Sequence, residues 1–562
     1  MRPTVWLDVA LTPRRWGLGF ARAATGFEAL LMRDTAPLAA RLNAILSPVS
    51  ALRAAVLSGR PRLMRLAWGF RKTVWSVAWT GIAVMRLWPR RPRVPAPDVP
   101  IALIPAPQSY PDFQSPTLVV PSDVPQAEMT LPGALTVQML HLLQDVYPVI
   151  STHQPPAATE PDERLRQAYS ALYRLLRNPP RWHQDLSEAN RQGNLLGALA
   201  VGGPFAKLLH RDTRPGRHVI DLDYLCRYPV RPGLTRLGCR IFFAEEHGHL
   251  RAAGIEHHGQ VAEPGQRDWP FAERVALCSL LTHTTVWRHG MQFHVGGVAP
   301  FAVVTHQLPV AHPIRRLLAP HLADTLSTNF HTHLTLRRSG FDVTGFSFSY
   351  DTILRYYDDG AKYFDIARLD PRDDVAARGI GDSLVYPHHP QALMYLAIFE
   401  DYVRAYLDLY YPDEAALAQD DAAQRWFEAL DKALVRGLRG YVPGLTRTSL
   451  VKLCAVFIYS VSVEHEDNTM WDYAVFLPAT VREDGQPESR GQLQSVLDFQ
   501  VIISSATNRL MHDASHVALD PAGAQVMRDF QAGLAGLQRE LDSQPDRYWR
   551  IYPKNLEASI SA

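Results

Sequence analysis

The 562-residue chain is 47% hydrophobic, 10% aromatic and 20% charged, a composition that argues for a globular protein with a large core and against a disordered or fibrous chain. Its length allows several domains or one very large one. The four cysteines have no paired spacing, so they indicate neither a disulfide scaffold nor a zinc motif. They are compatible with a reducing compartment.

The formal net charge of +2 is unevenly distributed. Residues 1–93 contain 16 lysines and arginines and three acidic residues, so this end carries about +13 and the remainder about −11. A basic end on an acidic body predicts a partner for that end, either an anionic membrane surface or nucleic acid.

Four tryptophans lie among arginines near the end of this basic segment, at positions 68, 75, 79 and 88. The uncharged run over residues 73–85 is shorter than the ~20 residues that span a bilayer. We therefore predict a Trp/Arg-rich helical arm over residues 1–93 that lies on an anionic membrane, the alternative being a helix packed on the body. No nucleic-acid-binding module follows. No secretory signal stands out, so the predicted location is cytoplasmic or peripheral membrane.

Prolines mark the end of the arm, with eleven between positions 89 and 125. Such a stretch is typical of an extended linker, which we place at residues 94–129. We predict that residues 130–562 form one large domain.

Most of the elements predicted for that domain are helices. Helices are predicted over residues 133–147 and 162–177, a short strand over 218–225, and a hairpin over 240–256 that turns at His247 and Gly248. Further helices are predicted over residues 277–304, 393–410, 426–438 and 450–465. The last of these is mostly apolar up to position 463, which indicates burial, so its polar end at His465 is notable.

Residues 269–333 hold eight of the 22 histidines. The clearest part, HQLPVAHPIRRLLAPHLADTLSTN from His306 to Asn329, resembles the HP-x-x-x-LL-x-PH segment of the lipoxygenase family. The apolar helix that ends at His465 and the terminal sequence RYWRIYPKNLEASISA resemble two further motifs of that family. The resemblance runs from about residue 190 to Ala562. An amino-terminal lipid-binding β-barrel is not recognisable.

The resemblance implies a mainly α fold, a large helical bundle around two buried metal-site helices with small β-sheet elements. It implies one non-haem iron, with manganese as the alternative, held by histidines, often an asparagine, and the terminal carboxylate. The implied reaction removes hydrogen from a polyunsaturated fatty acid or similar lipid and inserts O2 to give a hydroperoxide, inside a large apolar cavity.

Two family offsets identify His289 as the second histidine of the family's H-x-x-x-x-H pair, because it lies 23 residues before His312 and 20 after Trp269. The first histidine would then stand at position 284, which is Thr284. Its neighbour His283 would point about 100° away on an α-helix. His294 lies five residues after His289, so these two also fit the literal H-x-x-x-x-H motif, although the family commonly has a histidine outside the metal sphere at that position.

The second site segment also departs from the family. Thr469 stands four residues after His465, where an asparagine is usual, and Asn468 is one residue earlier. Ala562 replaces the usual terminal isoleucine, which leaves the main-chain carboxylate intact. The candidate metal ligands are therefore His289, His465, Ala562, His294, Asn468 and His283.

Other readings stay open. The metal could perform different oxidative chemistry, such as hydroperoxide rearrangement, or the fold could be a metal-free lipid-binding or scaffold protein. His312 and His321 are predicted to be structural. Glu464, Glu466 and Asp467 are predicted to be solvated carboxylates at a helix end, with oxygen ligation as the alternative.

Overall fold

The computed structural model describes two short strands and most of the chain from His183 to Ile560. The gaps are residues 215–216, 324, 327–345, 349–351, 353–354, 357–358, 361–362, 382–383, 466–472, 474–475 and 486–508. The predicted arm and the helices at 133–147 and 162–177 lie outside the described residues. Within the predicted linker, β1 (Leu103–Pro105) and β2 (Asp123–Pro125) pair antiparallel.

The predicted small β-structure is one five-stranded antiparallel sheet, with the strands side by side in chain order. It consists of β3 (Leu209–Arg211), β4 (Arg217–Asp221), β5 (Arg240–Glu246), β6 (His249–His257) and β7 (Gln260–Ala262). The β5–β6 turn lies at the predicted place: His247 and Gly248 both have a positive φ, which a tight hairpin turn requires.

The strand predicted over residues 218–225 is too long. β4 ends at Asp221, and a 3-10 helix follows over Asp223–Arg227. The side chain of Asp221 accepts a hydrogen bond from the backbone N–H of Asp223, 3.0 Å away. A carboxylate that bonds the backbone two residues ahead favours a turn over a continued ladder.

The other regular elements of the described chain are helices. The shorter helices are α1 (Gln184–Arg191), α2 (Leu195–Val201), α5 (Pro313–Leu322), α6 (Pro371–Ala377) and α8 (Glu414–Ala418). The longer ones are α3 (Trp269–Thr282), α4 (Ala299–His306), α7 (His388–Asp408), α9 (Asp421–Ala433), α10 (Arg447–Tyr459) and α11 (Pro521–Asp542). Helix α9 ends five residues before the predicted limit. Among the described residues, no helix combines the length and the apolar character needed to cross a membrane.

Two of these helices continue into wider turns. A π-helix, π1 (His283–Val298), joins α3 to α4 into one rod, and a second, π2 (Ser460–Glu464), extends α10 to His465. These rods are the predicted buried helices at 277–304 and 450–465. Sequence periodicity predicted them as α-helices, and the π geometry is a difference that bears on the site.

Two hydrophobic cores fill the described part of the molecule. One packs the sheet against α1, α2, α3 and the start of π1. The other packs the end of π1 and α4 with α5, α7, α9, α10 and α11. Because π1 contributes Trp287 to the first core and Phe293 to the second, it lies where the cores meet.

Helix α10 has a local reason to begin where it does. Thr446 and Ser449 form a reciprocal capping box that satisfies backbone N–H groups at its amino end. From Ser449 to His465 all side chains are buried except that of Lys452, as expected for a helix that is apolar all round. Because α10 and its π2 extension are packed on every side, His465 at their end lies in the interior of the protein.

Candidate metal centre

Three histidine side chains meet in the interior. The Nε2 atom of His289 lies 2.7 Å from Nε2 of His465 and 3.3 Å from Nε2 of His294, and the third pair is 3.1 Å apart. These residues, termed the histidine cluster, are the one group of three or more His, Cys, Asp or Glu residues in the described part of the chain with a metal-binding arrangement. The structure thus brings together three of the six candidate ligands.

The wide turns of π1 explain why residues five apart converge. On an α-helix, side chains five positions apart point about 140° away from each other, since each residue turns by 100°. A π-helix closes its hydrogen bonds between residues five apart, with about 4.4 residues per turn, so the same two side chains lie about 50° apart. His289 and His294 can therefore face one point, which a strictly α-helical reading does not allow.

The same spacing accounts for Thr284, which stands where the family pattern places a histidine. It lies five residues before His289, so it shares the face of π1 that carries both histidines. Its side chain is fully buried, and its hydroxyl has no hydrogen-bond partner among the described residues. A buried hydroxyl without a partner is costly unless another group meets it.

The histidine cluster is shielded from water. His465 is 1% exposed, His289 6% and His294 7%. Burial, together with neighbouring imidazoles, holds the pKa values of His289 and His465 well below their usual range. Both rings are therefore neutral near pH 7, the state in which an imidazole nitrogen offers a lone pair to a metal.

The donor set fits a metal ion. Two nitrogen ligands at right angles on bonds of about 2.1 Å lie about 3.0 Å apart, and tetrahedral ligands about 3.4 Å. The three observed Nε2 separations, 2.7, 3.1 and 3.3 Å, group around the right-angle value. Three histidines on one face of an ion leave the opposite side for further ligands. This open arrangement is more typical of an iron or manganese site than of a closed tetrahedral site.

A group of buried charged side chains includes the residues that directly precede two of these histidines in the sequence. The carboxylate of Glu464 forms ion pairs with Lys207 and with Arg288, whose Nη2 is 2.8 Å away, and accepts a hydrogen bond of 2.9 Å from the hydroxyl of Tyr459. We term Lys207, Arg288 and Glu464 the buried ion triad. The two cations hold the pKa of Glu464 down to about 2 against the raising effect of burial.

The expectation that Glu464 is a solvated carboxylate is therefore wrong, because its side chain is 2% exposed and fully paired. Glu464 directly precedes His465, and Arg288 directly precedes His289. Their ion pair thus ties π1 to π2 one residue from a cluster histidine on each side. Sequence reasoning missed the triad, although a charge inside an apolar run, as at Lys207 and Arg288, is a usable signal.

The structure does not bring the other candidates into the cluster. His283 lies outside it, with its Nδ1 2.6 Å from the hydroxyl of Tyr224, and burial lowers its pKa to about 3. Asn468 and Ala562 lie outside the described residues. Glu466 and Asp467 do as well, so their predicted role stays a prediction.

The described residues just before Ala562 in the chain, up to Ile560, nevertheless lie in the interior. Leu556, Ala558, Ser559 and Ile560 are buried, the last completely. The ring of His321 donates a 2.8 Å hydrogen bond from Nδ1 to the carbonyl of Ala558, and the hydroxyl of Ser559 donates to the carbonyl of Ala323 at 2.7 Å.

These bonds place α5, which carries the HP-x-x-x-LL-x-PH segment, against the chain end. His321 has the structural contact that was predicted for it. At the other end of the segment, Nε2 of His312 lies 3.1 Å from a carboxylate oxygen of Asp420, a second structural contact.

The same fold and related sequences occur in known lipoxygenases. No protein-family model matches the chain. The chain is 27% identical over 222 residues to the human hydroperoxide isomerase ALOXE3, which covers 38% of this chain and 31% of that protein. It is 25% identical over 329 residues to the mouse polyunsaturated fatty acid lipoxygenase ALOX15, covering 52% of this chain and 49% of the relative.

A rice linoleate 9S-lipoxygenase is 29% identical over 201 residues, which is 32% of this chain and 23% of that one. The matches therefore span about a quarter to a half of the length of these curated relatives. Among solved structures, coral 8R-lipoxygenase superposes with a TM-score of 0.66 at 14% identity over 78% of this chain and 76% of its own. A calcium-dependent 11R-lipoxygenase gives 0.60 at 16% identity, covering 75% and 69%.

The structural matches confirm the predicted lipoxygenase-like fold, and the sequence matches extend the likeness beyond shape. The buried histidine cluster lies on the two rods that the resemblance indicated. The chain is therefore similar to lipoxygenases in its fold and, over part of its length, in its sequence.

Proposed function

We propose that the chain is a metal-dependent dioxygenase that forms a hydroperoxide from a polyunsaturated fatty acid and O2. The observation that carries this proposal is the convergence of three buried imidazole Nε2 atoms within 3.3 Å of one another. Three imidazole nitrogen atoms so close together need a shared cation or shared protons, and burial disfavours the charged form of an imidazole. The mouse relative is named a polyunsaturated fatty acid lipoxygenase.

The proposed ligands are His289, His294 and His465, with the terminal carboxylate of Ala562 as an oxygen donor. The buried tail that ends at Ile560, two residues before the chain end, supports the carboxylate assignment. We propose iron as the metal, with manganese as the alternative. A bound redox-active ion would supply the one-electron oxidant for removing hydrogen from a doubly allylic carbon, whose C–H bond is weak.

The chain's own residues would shape the conditions for that chemistry. The apolar side chains around π1 and α10 exclude water from the cluster, which strengthens electrostatic interactions there and protects a carbon radical from side reactions. The histidines hold their nitrogen atoms toward one point without needing to move. The role of the buried ion triad is to fix the two helices that carry them.

Hydroperoxide rearrangement is the second candidate. The human relative is named a hydroperoxide isomerase, and a metal ion held by the histidine cluster of this chain could act on an O–O bond. The two reactions differ in stoichiometry, because dioxygenation consumes one O2 per product and isomerisation consumes none. Oxygen uptake with linoleate or arachidonate, compared with conversion of the corresponding hydroperoxide under argon, separates them.

Metal analysis is the primary test. We expect close to one iron or manganese per chain, and we expect His289→Ala or His465→Ala to abolish binding because each removes one of three nitrogen donors. His283→Asn is the matched control, since His283 lies outside the cluster and its variant should keep the metal. One glycine added after Ala562 should weaken binding by displacing the carboxylate.

A stoichiometry near zero that persists after anaerobic reconstitution with ferrous iron would refute the enzyme proposal and leave the metal-free lipid-binding reading. Loss of metal in His283→Asn with retention in His289→Ala would instead refute the ligand assignment.

We further propose that residues 1–93, with a charge of about +13, bind anionic membranes. A truncation that begins at Pro95 should lose binding to phosphatidylserine-containing vesicles, and added salt should weaken binding of the full chain. Equal binding by both proteins would refute this role for the arm.

A further inference from the structure

A second group of polar side chains, partly buried, takes no part in the histidine cluster. The hydroxyl of Tyr224 lies 2.6 Å from Nδ1 of His283 and 3.0 Å from the hydroxyl of Tyr356. Tyr224 sits in the 3-10 helix after β4, and His283 is the first residue of π1. The group is therefore attached to the helix that carries His289 and His294.

The direction of these hydrogen bonds follows from the protonation states. Burial and the nearby Arg288 lower the pKa of His283 to about 3, so its ring is neutral, while burial raises the pKa of Tyr224 and keeps its hydroxyl protonated. If Nδ1 of His283 is the acceptor, Tyr224 donates its only proton to it, and the hydroxyl of Tyr356 must then donate to the oxygen of Tyr224. The chain runs Tyr356 to Tyr224 to His283.

Such an arrangement favours loss of an electron from the phenol. Oxidation of a phenol makes its proton strongly acidic, so a neutral imidazole at 2.6 Å can accept that proton at once. The donated bond from Tyr356 stabilises the oxygen left behind. Without oxidation the phenol of Tyr224 keeps its proton, and no proton passes to His283.

Aromatic rings connect this pair to the protein surface. The ring of Trp287 lies 5.1 Å from that of Tyr224, 4.8 Å from that of Tyr356 and 5.5 Å from that of Tyr363, between centroids. Trp287 is buried and lies two residues before His289, while Tyr363 is 52% exposed. Closely spaced oxidisable rings thus extend from π1 to solvent.

We propose that Tyr224 is a redox-active residue that gives up an electron while its phenolic proton passes to Nδ1 of His283. The oxidant is an organic hydroperoxide, which takes one electron from Tyr224 and one proton from solvent and splits its O–O bond to an alkoxyl radical and water, while the phenolic proton stays on His283 until the radical is reduced. The electron hole on Tyr224 moves through Trp287 toward Tyr363 and solvent reductants. Electron holes that are not used in the proposed dioxygenation are thereby carried away from the histidine cluster.

The assignment of Tyr224 is tested first without metal chemistry, on the full chain as purified. A photo-oxidised ruthenium tris-bipyridine complex removes one electron, and electron paramagnetic resonance of the frozen sample identifies the radical. We expect a neutral tyrosyl radical with a hyperfine coupling to a proton on a histidine nitrogen. Tyr224→Phe should remove this signal, and His283→Phe should remove the coupling.

Two controls keep the assignment open to refutation. Tyr228→Phe is matched, because Tyr228 lies in the same aromatic group but its hydroxyl donates to Asp359, 2.8 Å away, so its loss should leave the radical intact. Tyr356→Phe should keep the radical but change its g-tensor, since one hydrogen bond to the oxygen is lost. An unchanged radical in Tyr224→Phe would overturn the assignment.

The hydroperoxide arm rests on the proposed metal centre and uses iron-loaded protein with cumene hydroperoxide. We expect the same radical, and in Tyr224→Phe its loss together with at least a severalfold increase in oxidised His289 and His294, measured by peptide mass spectrometry. A photochemical radical at Tyr224 with no effect of Tyr224→Phe on histidine oxidation would overturn the protective role. Failure of iron loading itself would show in the metal analysis and concerns the proposed function instead.

Discussion

Replacing Glu464 by leucine should strongly destabilise the fold, because it leaves two buried cations without their anion. The side chain of Lys207 is 4% exposed and that of Arg288 is 9% exposed, so water cannot replace the lost carboxylate. Removing one partner from a buried ion pair costs about 3–5 kcal/mol. The expected loss in free energy of unfolding for Glu464→Leu is therefore about 3–5 kcal/mol, measured by urea titration of tryptophan fluorescence.

The triple variant Lys207→Met, Arg288→Met, Glu464→Leu should behave differently. Replacing a complete buried ion group by apolar side chains of similar volume is neutral or stabilising by about 1–4 kcal/mol. If the triad positions the histidines, however, the well-folded triple variant should bind Co²⁺ or Fe²⁺ about 10–100-fold more weakly, the range for lost outer partners of metal ligands. A changed visible spectrum of bound Co²⁺ would report the altered ligand geometry.

A buried carboxylate elsewhere provides the matched control. Asp370 has a fully buried side chain, lies 2.7 Å from Arg372 and accepts a 2.8 Å hydrogen bond from Tyr441. Asp370→Asn should reduce stability without changing metal affinity. The reasoning is refuted if the triple variant is as unstable as Glu464→Leu, or if it binds Co²⁺ with unchanged affinity and spectrum.

Two further predictions concern stability. Burial lowers the pKa of His321 to about 4 from an ordinary value near 6.5, so this group stabilises the fold above pH 6.5 and that contribution is lost as pH falls through 4. Between pH 7 and 4.5 the wild type should lose about 2–3 kcal/mol more than His321→Asn in urea titrations, and equal losses would contradict the assignment. Gly297→Ala should cost about 1–3 kcal/mol, because its Cβ would lie 2.4 Å from the ring of Phe364. Gly290→Ala in the same helix meets nothing closer than 3.7 Å and should gain about 0.5–1 kcal/mol, so similar effects of the two would count against the clash.

The fold was accessible from the sequence because its signals are dense and local. The mostly apolar run over residues 450–463 predicted a buried helix, and the spacing of His289 from two separate anchors located the other rod. The hairpin turn at His247 and Gly248 was visible as residue types that tolerate a positive φ. The strand end at Asp221 was not, because it depends on a side-chain bond to the backbone.

The buried ion triad and the Tyr224 group could not be predicted from the sequence for a different reason. Lys207 and Glu464 are 257 positions apart, and Tyr224 and Tyr356 are 132 apart. No periodicity relates residues so distant, and only the packing of the helices determines which charge meets which. The sequence offered only the anomaly of charges within apolar runs, without their partners.

The spacing of the histidines in π1 shows most clearly that a sequence pattern assumes a particular helix geometry. The family pattern made Thr284 a missing ligand, and a turn of 100° per residue would put His294 on a different face from His289. With the wider turn, Thr284, His289 and His294 recur every five residues on one face, and two histidines reach the third across from π2. A π-helix is rare because its hydrogen bonds and packing are poorer than those of an α-helix, so surrounding contacts must hold it in place. Here it lies at the junction of both hydrophobic cores and is tied to π2 by Arg288 and Glu464. The departure from the family pattern at position 284 therefore does not by itself remove a metal site, because the helix geometry supplies His294 in its place.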